Sequence, residues 1–374
     1  MKNSPSKPVP AKVTTPNQEE GVHQDTGYSV LLHEIREMIS STRNRVAYGV
    51  NRETVLLYWN IGTRIYKEVL QNDRGEYGKK IVETLSGQLL HEYGRGFSRA
   101  NVFSMVRFAE LYHEPAIVQT LSGQLSWSHF VELIKIDDDL QRDFYTEMCR
   151  IERWSVRLLK AKIQGLLFER TALSRKPEEL ARQELEALRT EDQMSPDLVF
   201  RDPYFLDFLG LSDTYSEKDI ESGIIREIER FILEMGSDFS FIARQKRITI
   251  DAEDYYIDLL FFHRRLRCLI AIDLKLGRFQ AADKGQMELY LRWLDKYERV
   301  PGEESPMGLI LCAGKSDEHV ELLGLSDSGI RVAEYLTELP PRELLEAKLK
   351  SAMERAQHQF CRPDEDIGMG KGCT

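Results

Sequence analysis

The spacing of apolar residues changes character once along the chain. From about residue 27 to 176 they recur at three- and four-residue intervals. Val30, Leu31, Ile35, Met38 and Ile39 form one stripe, and Val55, Leu56, Tyr58, Trp59, Ile61 and Ile65 another. This is the period of amphipathic helices. Further helices are predicted over Ile81–Tyr93, Ser98–His113, Ser126–Ile136, Leu140–Cys149 and Ser155–Glu169, with Ser98, Ser126 (or Ser128) and Ser155 where N-caps belong. No strand pattern stands out in this half. Beyond residue 200 a helix over Ile220–Met235, ended by Gly236, leads into three strands: Phe239–Ile250, Tyr255–His263 and Arg267–Leu276. A helix over Ala282–Tyr297, an apolar strand Met307–Ala313, a short helix and the strand Ile330–Tyr335 follow, and Pro340-Pro341 opens a last helix. The order α-β-β-β-α-β predicts helices packed against a mixed sheet.

The pattern therefore divides 374 residues into a tail over 1–26, an all-α domain over 27–176, an acidic linker over 177–200, an α/β domain over 201–350 and a C-terminal tail over 351–374. A hexapeptide, Thr-Leu-Ser-Gly-Gln-Leu, occurs at Thr84–Leu89 and Thr120–Leu125, but the flanking residues do not match, so no repeat architecture follows. Five cysteines show no metal-finger spacing. Cys268 and Cys312 fall in apolar strands, where they act as small hydrophobes, and a reducing, cytoplasmic location is expected. Pro5, Pro8 and Pro10 stand where a signal peptide's apolar region would be. No apolar run approaches the roughly 18 residues that span a bilayer.

Two carboxylates interrupt the apolar strands. Asp258 sits within Tyr255-Tyr256-Ile257-Asp258-Leu259-Leu260-Phe261-Phe262, and Asp273 within Leu269-Ile270-Ala271-Ile272-Asp273-Leu274-Lys275. Side chains alternate along a strand, so Asp273 and Lys275 share a face. Buried charges cost several kcal/mol unless they are paired or bind an ion. Two acids on neighbouring strands with a lysine beside them suit Mg²⁺ or Mn²⁺. A structural ion pair between the lysine and either acid is the plain alternative.

The element order and the residues around these acids resemble the YhcG-like family of PD-(D/E)XK nucleases. The residues that carry the resemblance are Arg244-Gln245, Asp254–His263, Asp273-Leu274-Lys275, Gly285-Gln286-Met287, Gly308–Cys312 and Ala333–Leu336. Upstream, Leu57–Gly62, Gly96-Phe97-Ser98, Leu125–His129 and Trp154–Arg157 resemble that family's helical N-terminal domain. The resemblance implies a restriction-endonuclease-like αβββαβ core after an all-α domain. It also implies a metal-dependent nuclease acting on nucleic acid, with DNA the expected substrate. In that scheme Asp258 and Asp273 ligate Mg²⁺ or Mn²⁺ with the Leu274 carbonyl, and Lys275 positions or activates the attacking water. Glu221, on the stripe of Ile224, Ile225, Ile228 and Ile232, matches the superfamily's additional helix acid. Gln286 and Tyr290, one helical turn apart, resemble the Q-x-x-x-Y pattern of RecB-type members. A nuclease fold that has lost catalysis and serves as a nucleic-acid-binding or assembly module is the competing expectation.

The net charge of −10 at first argues against a polyanionic partner. Its distribution removes the objection: 177–238 carries −11, whereas 150–176 carries +6 and 239–300, with the two strand acids, +3. Arg153, Arg157 and Lys160, with Arg150 and Lys162, form a candidate phosphate-contacting surface. Gly96–Phe108 could supply a recognition-type helix presenting Arg99, Asn101 and Arg107. Homo-oligomerisation through the helical domain is equally compatible with the pattern. His263, beside Arg264 and Arg265, is expected at the surface.

Overall fold

The computed structural model describes residues 49–67, 75–211 and 214–360. The expected N-terminal tail, the stripe Val30–Ile39 and the end of the chain beyond residue 360 lie outside the described residues. By its internal contacts the chain divides into two compact units, 1–127 and 128–374.

The first unit is helical, with α1 (49–67), α2 (Gly75–Tyr93), α3 (Arg99–Leu111) and α4 (Pro115–Ser122). Ile65, Val82 and Val102 are buried together. Gly62 is where α1 and α3 touch: a Cβ there would lie 1.9 Å from the Met105 carbonyl oxygen. The Trp127 ring meets Tyr58 and Phe108 edge-on, and its indole N–H donates to Asn101 Oδ1 at 2.7 Å.

The second unit opens with α5 (Trp127–Leu133, straddling the boundary), α6 (Asp139–Glu152), α7 (Val156–Gln164), α8 (Leu167–Arg170), α9 (Glu178–Glu191) and α10 (Pro196–Val199). Asp138 and Ser155 cap α6 and α7 by accepting from Gln141 N at 2.7 Å and Leu158 N at 3.2 Å. Within the acidic stretch 177–200, α9 buries Ala181, Leu185 and Leu188.

The sheet has six strands: β1 (Tyr204–Phe205), β2 (Phe239–Ile250), β3 (Glu253–His263), β4 (Cys268–Arg278), β5 (Met307–Gly314) and β6 (Ile330–Leu336). They lie in the order β1-β6-β5-β4-β3-β2. The β2–β3–β4 pairs are antiparallel and the β4–β5–β6–β1 pairs parallel. This is the mixed sheet the pattern predicts. The two-residue β1 is too short to leave a pattern of its own.

Helices cover both faces. On one, α13 (Ala281–Tyr297) sets Met287, Tyr290 and Leu294 against Leu260, Ala271 and Ile310. The helix comes down close because Gly308 of β5 has no side chain; a Cβ there would lie 2.5 Å from Met287 Cγ. On the other face Phe231 stacks against Phe261 with ring centroids 5.9 Å apart. The predicted Ile220–Met235 helix is two helices, α11 (Glu217–Arg226) and α12 (Ile228–Met235). They part at Glu227, whose backbone (φ −109°, ψ 33°) leaves the helical region; neither proline nor glycine marks that break. A reciprocal Ser216/Asp219 capping box starts α11. The short α14 (Asp317–Leu322) and the C-terminal α15 (Arg342–Phe360) complete the unit, α15 packing Leu345 and Leu349 beside Leu336 of β6.

Candidate active site

The β3–β4 ladder ends at the Leu259–Ile272 pair, and Asp258 and Asp273 are the next residues on the two strands, side by side just beyond it. Residues opposite one another in an antiparallel ladder share a face, and Lys275 joins it two residues on. Lys275 Nζ lies 2.8 Å from Asp273 Oδ2. Asp258 is held from its own sheet: its Oδ2 accepts from the Leu274 amide at 2.8 Å, and its Oδ1 from Gln245 Nε2 at 3.0 Å. That same amide nitrogen donates to Glu221 Oε2 at 2.8 Å. Glu221 is buried on α11, and its other oxygen takes the Arg244 guanidinium. Gln245 sits opposite Asp258 in β2 with a left-handed backbone, φ 48°, a conformation rare outside glycine.

From the far side α13 supplies a hydrogen-bonded chain. Lys275 Nζ donates to Gln286 Oε1 at 3.4 Å, Gln286 Nε2 to the Tyr290 hydroxyl at 2.5 Å, and that hydroxyl to the Tyr256 carbonyl at 3.1 Å. The structure thus brings together Glu221, Asp258, Asp273, Leu274, Lys275, Gln286 and Tyr290. Gln245, Arg244 and Glu217, which accepts from the Leu276 amide at 3.1 Å, complete the surroundings. Glu217 leaves no sequence signal because its role depends on where α11 starts against β4.

The electrostatics are those of an uncompensated anionic site. Burial raises the Asp273 carboxyl to about 6; Lys275 opposes this, and Asp258 and Asp283 add to it. Asp258 is raised by burial and by Glu221, against the Leu274 amide, Gln245 and Lys275. Burial lowers Lys275, but Asp273, Asp283 and Glu217 outweigh it and hold the ammonium above the ordinary lysine range. Asp273 Oδ2, moreover, is buried without a well-directed hydrogen bond. Hard carboxylate oxygens crowded in this way fit a divalent cation. Among the described residues, no three His, Cys, Asp or Glu side chains are already drawn around one point.

The other predicted contacts are spread out. Arg99 pairs with Glu83 at 2.6 Å and Arg107 with Glu110 at 2.9 Å. Asn101 is occupied by the Trp127 indole and the Gly96 carbonyl. Arg150 is internal, bonded to Glu147, Asp192 and the Leu188 carbonyl, and Lys162 reaches the Leu233 carbonyl at 2.7 Å. Lys160 pairs with Glu132 at 3.1 Å, while Arg153 and Arg157 are exposed. His263 is not at the surface. It is buried against Phe239, accepts from the Leu266 amide, and burial lowers it to about 4. A short turn folds back over the end of β3, which the flanking arginines concealed.

Residues 197–352 match the YhcG PDDEXK nuclease domain and residues 34–170 the DUF1016 N-terminal domain. A protein of Escherichia coli (strain K12) named "Putative nuclease YhcG" is 35% identical over 355 residues, 86% of this chain and 94% of the relative. Among solved structures, a repair endonuclease from Pyrococcus abyssi is 18% identical, with a TM-score of 0.24 over 35% of this chain and 50% of that one. No helix among the described residues is long and apolar enough to cross a membrane.

Proposed function

The chain belongs to the YhcG-like family of PD-(D/E)XK nucleases, and on that premise we propose that it is a Mg²⁺- or Mn²⁺-dependent phosphodiesterase acting on DNA, with Asp258, Asp273 and Lys275 at its centre. The observation that carries this reading is the cross-strand pair Asp258/Asp273, both acids held above the carboxylate range while Lys275 stays charged on the same face.

Asp258 and Asp273, with the Leu274 carbonyl, would hold the cation, which supplies Lewis acidity toward a phosphoryl oxygen and eases ionisation of water. Lys275 remains an ammonium at neutral pH. Its work is therefore to stabilise negative charge growing on the phosphate rather than to take a proton from water. Gln286 steadies Lys275, and Tyr290 steadies Gln286 by anchoring it to β3; both are positioning residues. Glu221 acts through Gln245 on Asp258, and would be a further carboxylate available to hold the cation. Arg153 and Arg157, exposed and close in sequence, are the best of the predicted phosphate contacts. The helical stretch 27–176 would then bind nucleic acid or pair two copies of the chain. Buried free thiols at Cys149, Cys268 and Cys312 support a reducing, cytoplasmic setting.

The test is cleavage of plasmid, linear, branched and single-stranded DNA, and of RNA, with Mg²⁺ or Mn²⁺. Wild type should cut at least one substrate that Asp258→Ala and Lys275→Ala leave intact. If no substrate distinguishes them, the proposal fails. Calorimetry that finds no divalent binding dependent on Asp258 would favour a non-catalytic binding module.

A further inference from the structure

A second concentration of charge lies elsewhere in the nuclease unit. A cavity of about 380 Å³ is walled by the turn after α8, the segment 197–202, Lys315 beyond β5 and the start of β6. Arg175, Lys176, Arg201, Lys315 and Arg331 line it, against two carboxylates, Asp197 and Asp202. None of the residues at the Asp258 site takes part.

The cations are partly paired. Asp202 Oδ2 lies 2.5 Å from Lys315 Nζ and 2.9 Å from Arg175 Nη1. Arg331 Nη2 lies 3.0 Å from Asp197, and Lys176 reaches Asp197 and Glu184. These pairs do not exhaust the donors. Nε of Arg175, Nε of Arg331, and both Nε and Nη1 of Arg201 are buried with no hydrogen-bond acceptor among the described residues. Arg201 is only 4% exposed. Its carboxylate neighbour, Glu234, stands 3.6 Å away at Oε2, while Arg170 and the Phe205 amide take Oε1.

Leaving a buried donor unpaired costs about 1–3 kcal/mol, and Arg175 and Arg331 at this cavity share the defect; the Arg201 guanidinium lies beside Glu234 and Gly236. An entering anion would supply the missing acceptors. Guanidinium forks match the oxygens of a phosphate; the five cations exceed the four carboxylates beside them (Asp197, Asp202, Glu184 and Glu234) by one, and a phosphomonoester offers three terminal oxygens to the unpaired donors where a diester offers two. The remaining wall is apolar, with Phe200, Leu325, Ile330 and Val332 buried along it, and suits a nucleobase.

We propose that this cavity binds a phosphomonoester carried by a nucleoside, either as a free mononucleotide or as the phosphorylated end of a nucleic-acid strand.

The experiment uses the full chain in EDTA, so that binding is read without cleavage and independently of the catalytic proposal. Calorimetry compares inorganic phosphate, deoxyadenosine 5′-monophosphate and deoxyadenosine. Fluorescence anisotropy compares a labelled single-stranded oligonucleotide bearing a 5′-phosphate with its 5′-hydroxyl counterpart. The monophosphate should bind at least tenfold more tightly than the nucleoside. Arg331→Gln and Lys176→Gln, both at half-buried positions, should each weaken it at least tenfold, while Asp258→Asn binds as wild type does. A tenfold preference for the phosphorylated oligonucleotide identifies the strand end as the source; monophosphate binding without that preference identifies the free nucleotide. Absence of phosphate-dependent binding by every probe, binding unchanged in both cavity variants, or binding lost in Asp258→Asn would each overturn the proposal.

Discussion

Asp202, largely buried, and Asp273, fully buried, are both carboxylates beside a lysine in the same compact unit, and they titrate in opposite directions. Asp202 is under strong desolvation, yet Lys315, Arg175 and the Glu334 amide more than compensate, and its carboxyl ends below the usual range. Asp273 has one cation, at 2.8 Å, and two further acids nearby, so burial prevails and the carboxyl ends near 6. The two differ in how completely the fold answers the charge. Asp202 is surrounded by donors; Asp273 is left in deficit, as the proposed reading requires of an acid that a ligand completes. A lysine neighbour alone therefore does not mark an active site.

The contrast can be broken at several points. The largest effect expected is on activity: Asp258→Asn or Lys275→Met should lower cleavage by about 10³-fold, while circular dichroism and melting show an intact fold. Next, Asp202→Asn should destabilise by about 3 kcal/mol, measured by urea unfolding, because it strands Lys315 at 8% exposure. Third, millimolar Mg²⁺ should raise the melting temperature of wild type, by the equivalent of about 2.7 kcal/mol at a hundredfold excess over Kd, and leave that of Asp258→Asn unmoved. A metal-induced shift that survives in Asp258→Asn would place the cation elsewhere.

The smallest effect carries the clearest sign. Because Asp273 titrates near 6 in the fold and near 3.9 unfolded, the native state binds more protons between those values. Its ionisation therefore costs stability as pH rises through that window. Without metal, Asp273→Asn should stabilise by about 1–2 kcal/mol above pH 6, less than the full shift since Lys275 loses a partner, and the gain should vanish below pH 4. A destabilised Asp273→Asn at neutral pH would mean that the carboxylate belongs with Asp202 after all.

Much of this site is legible in the sequence for one reason: acids in mid-strand positions flanked by apolar residues have no ordinary use there. Asp258 and Asp273 announce themselves in this way, and Lys275 follows from alternation. Glu221 is readable from the helical stripe and Gln286/Tyr290 from their spacing. What stayed hidden depends on tertiary contact. That Gln245 bridges two carboxylates requires a left-handed residue opposite Asp258, and nothing local to Arg244-Gln245 predicts it. Asn101 and Arg150 read as surface contacts because polarity does not reveal a partner; one is held by Trp127 and the other by α9. His263 reads as a surface residue because exposed arginines beside it say nothing about the turn that covers it.

Gly308 sets a mechanical gauge. The clearance between α13 and β5 is fixed at a point where even a methyl group would strike Met287, and the next residue along the helix is Gln286. Any side chain at 308 must displace the Met287 side chain, by repacking it or by moving α13 outward. A shift of α13 would lengthen the 3.4 Å reach from Lys275 to Gln286. A position with no polar atom of its own beyond the backbone thus governs how firmly the lysine is aimed, and a screen for variants that fold but cut poorly should find it.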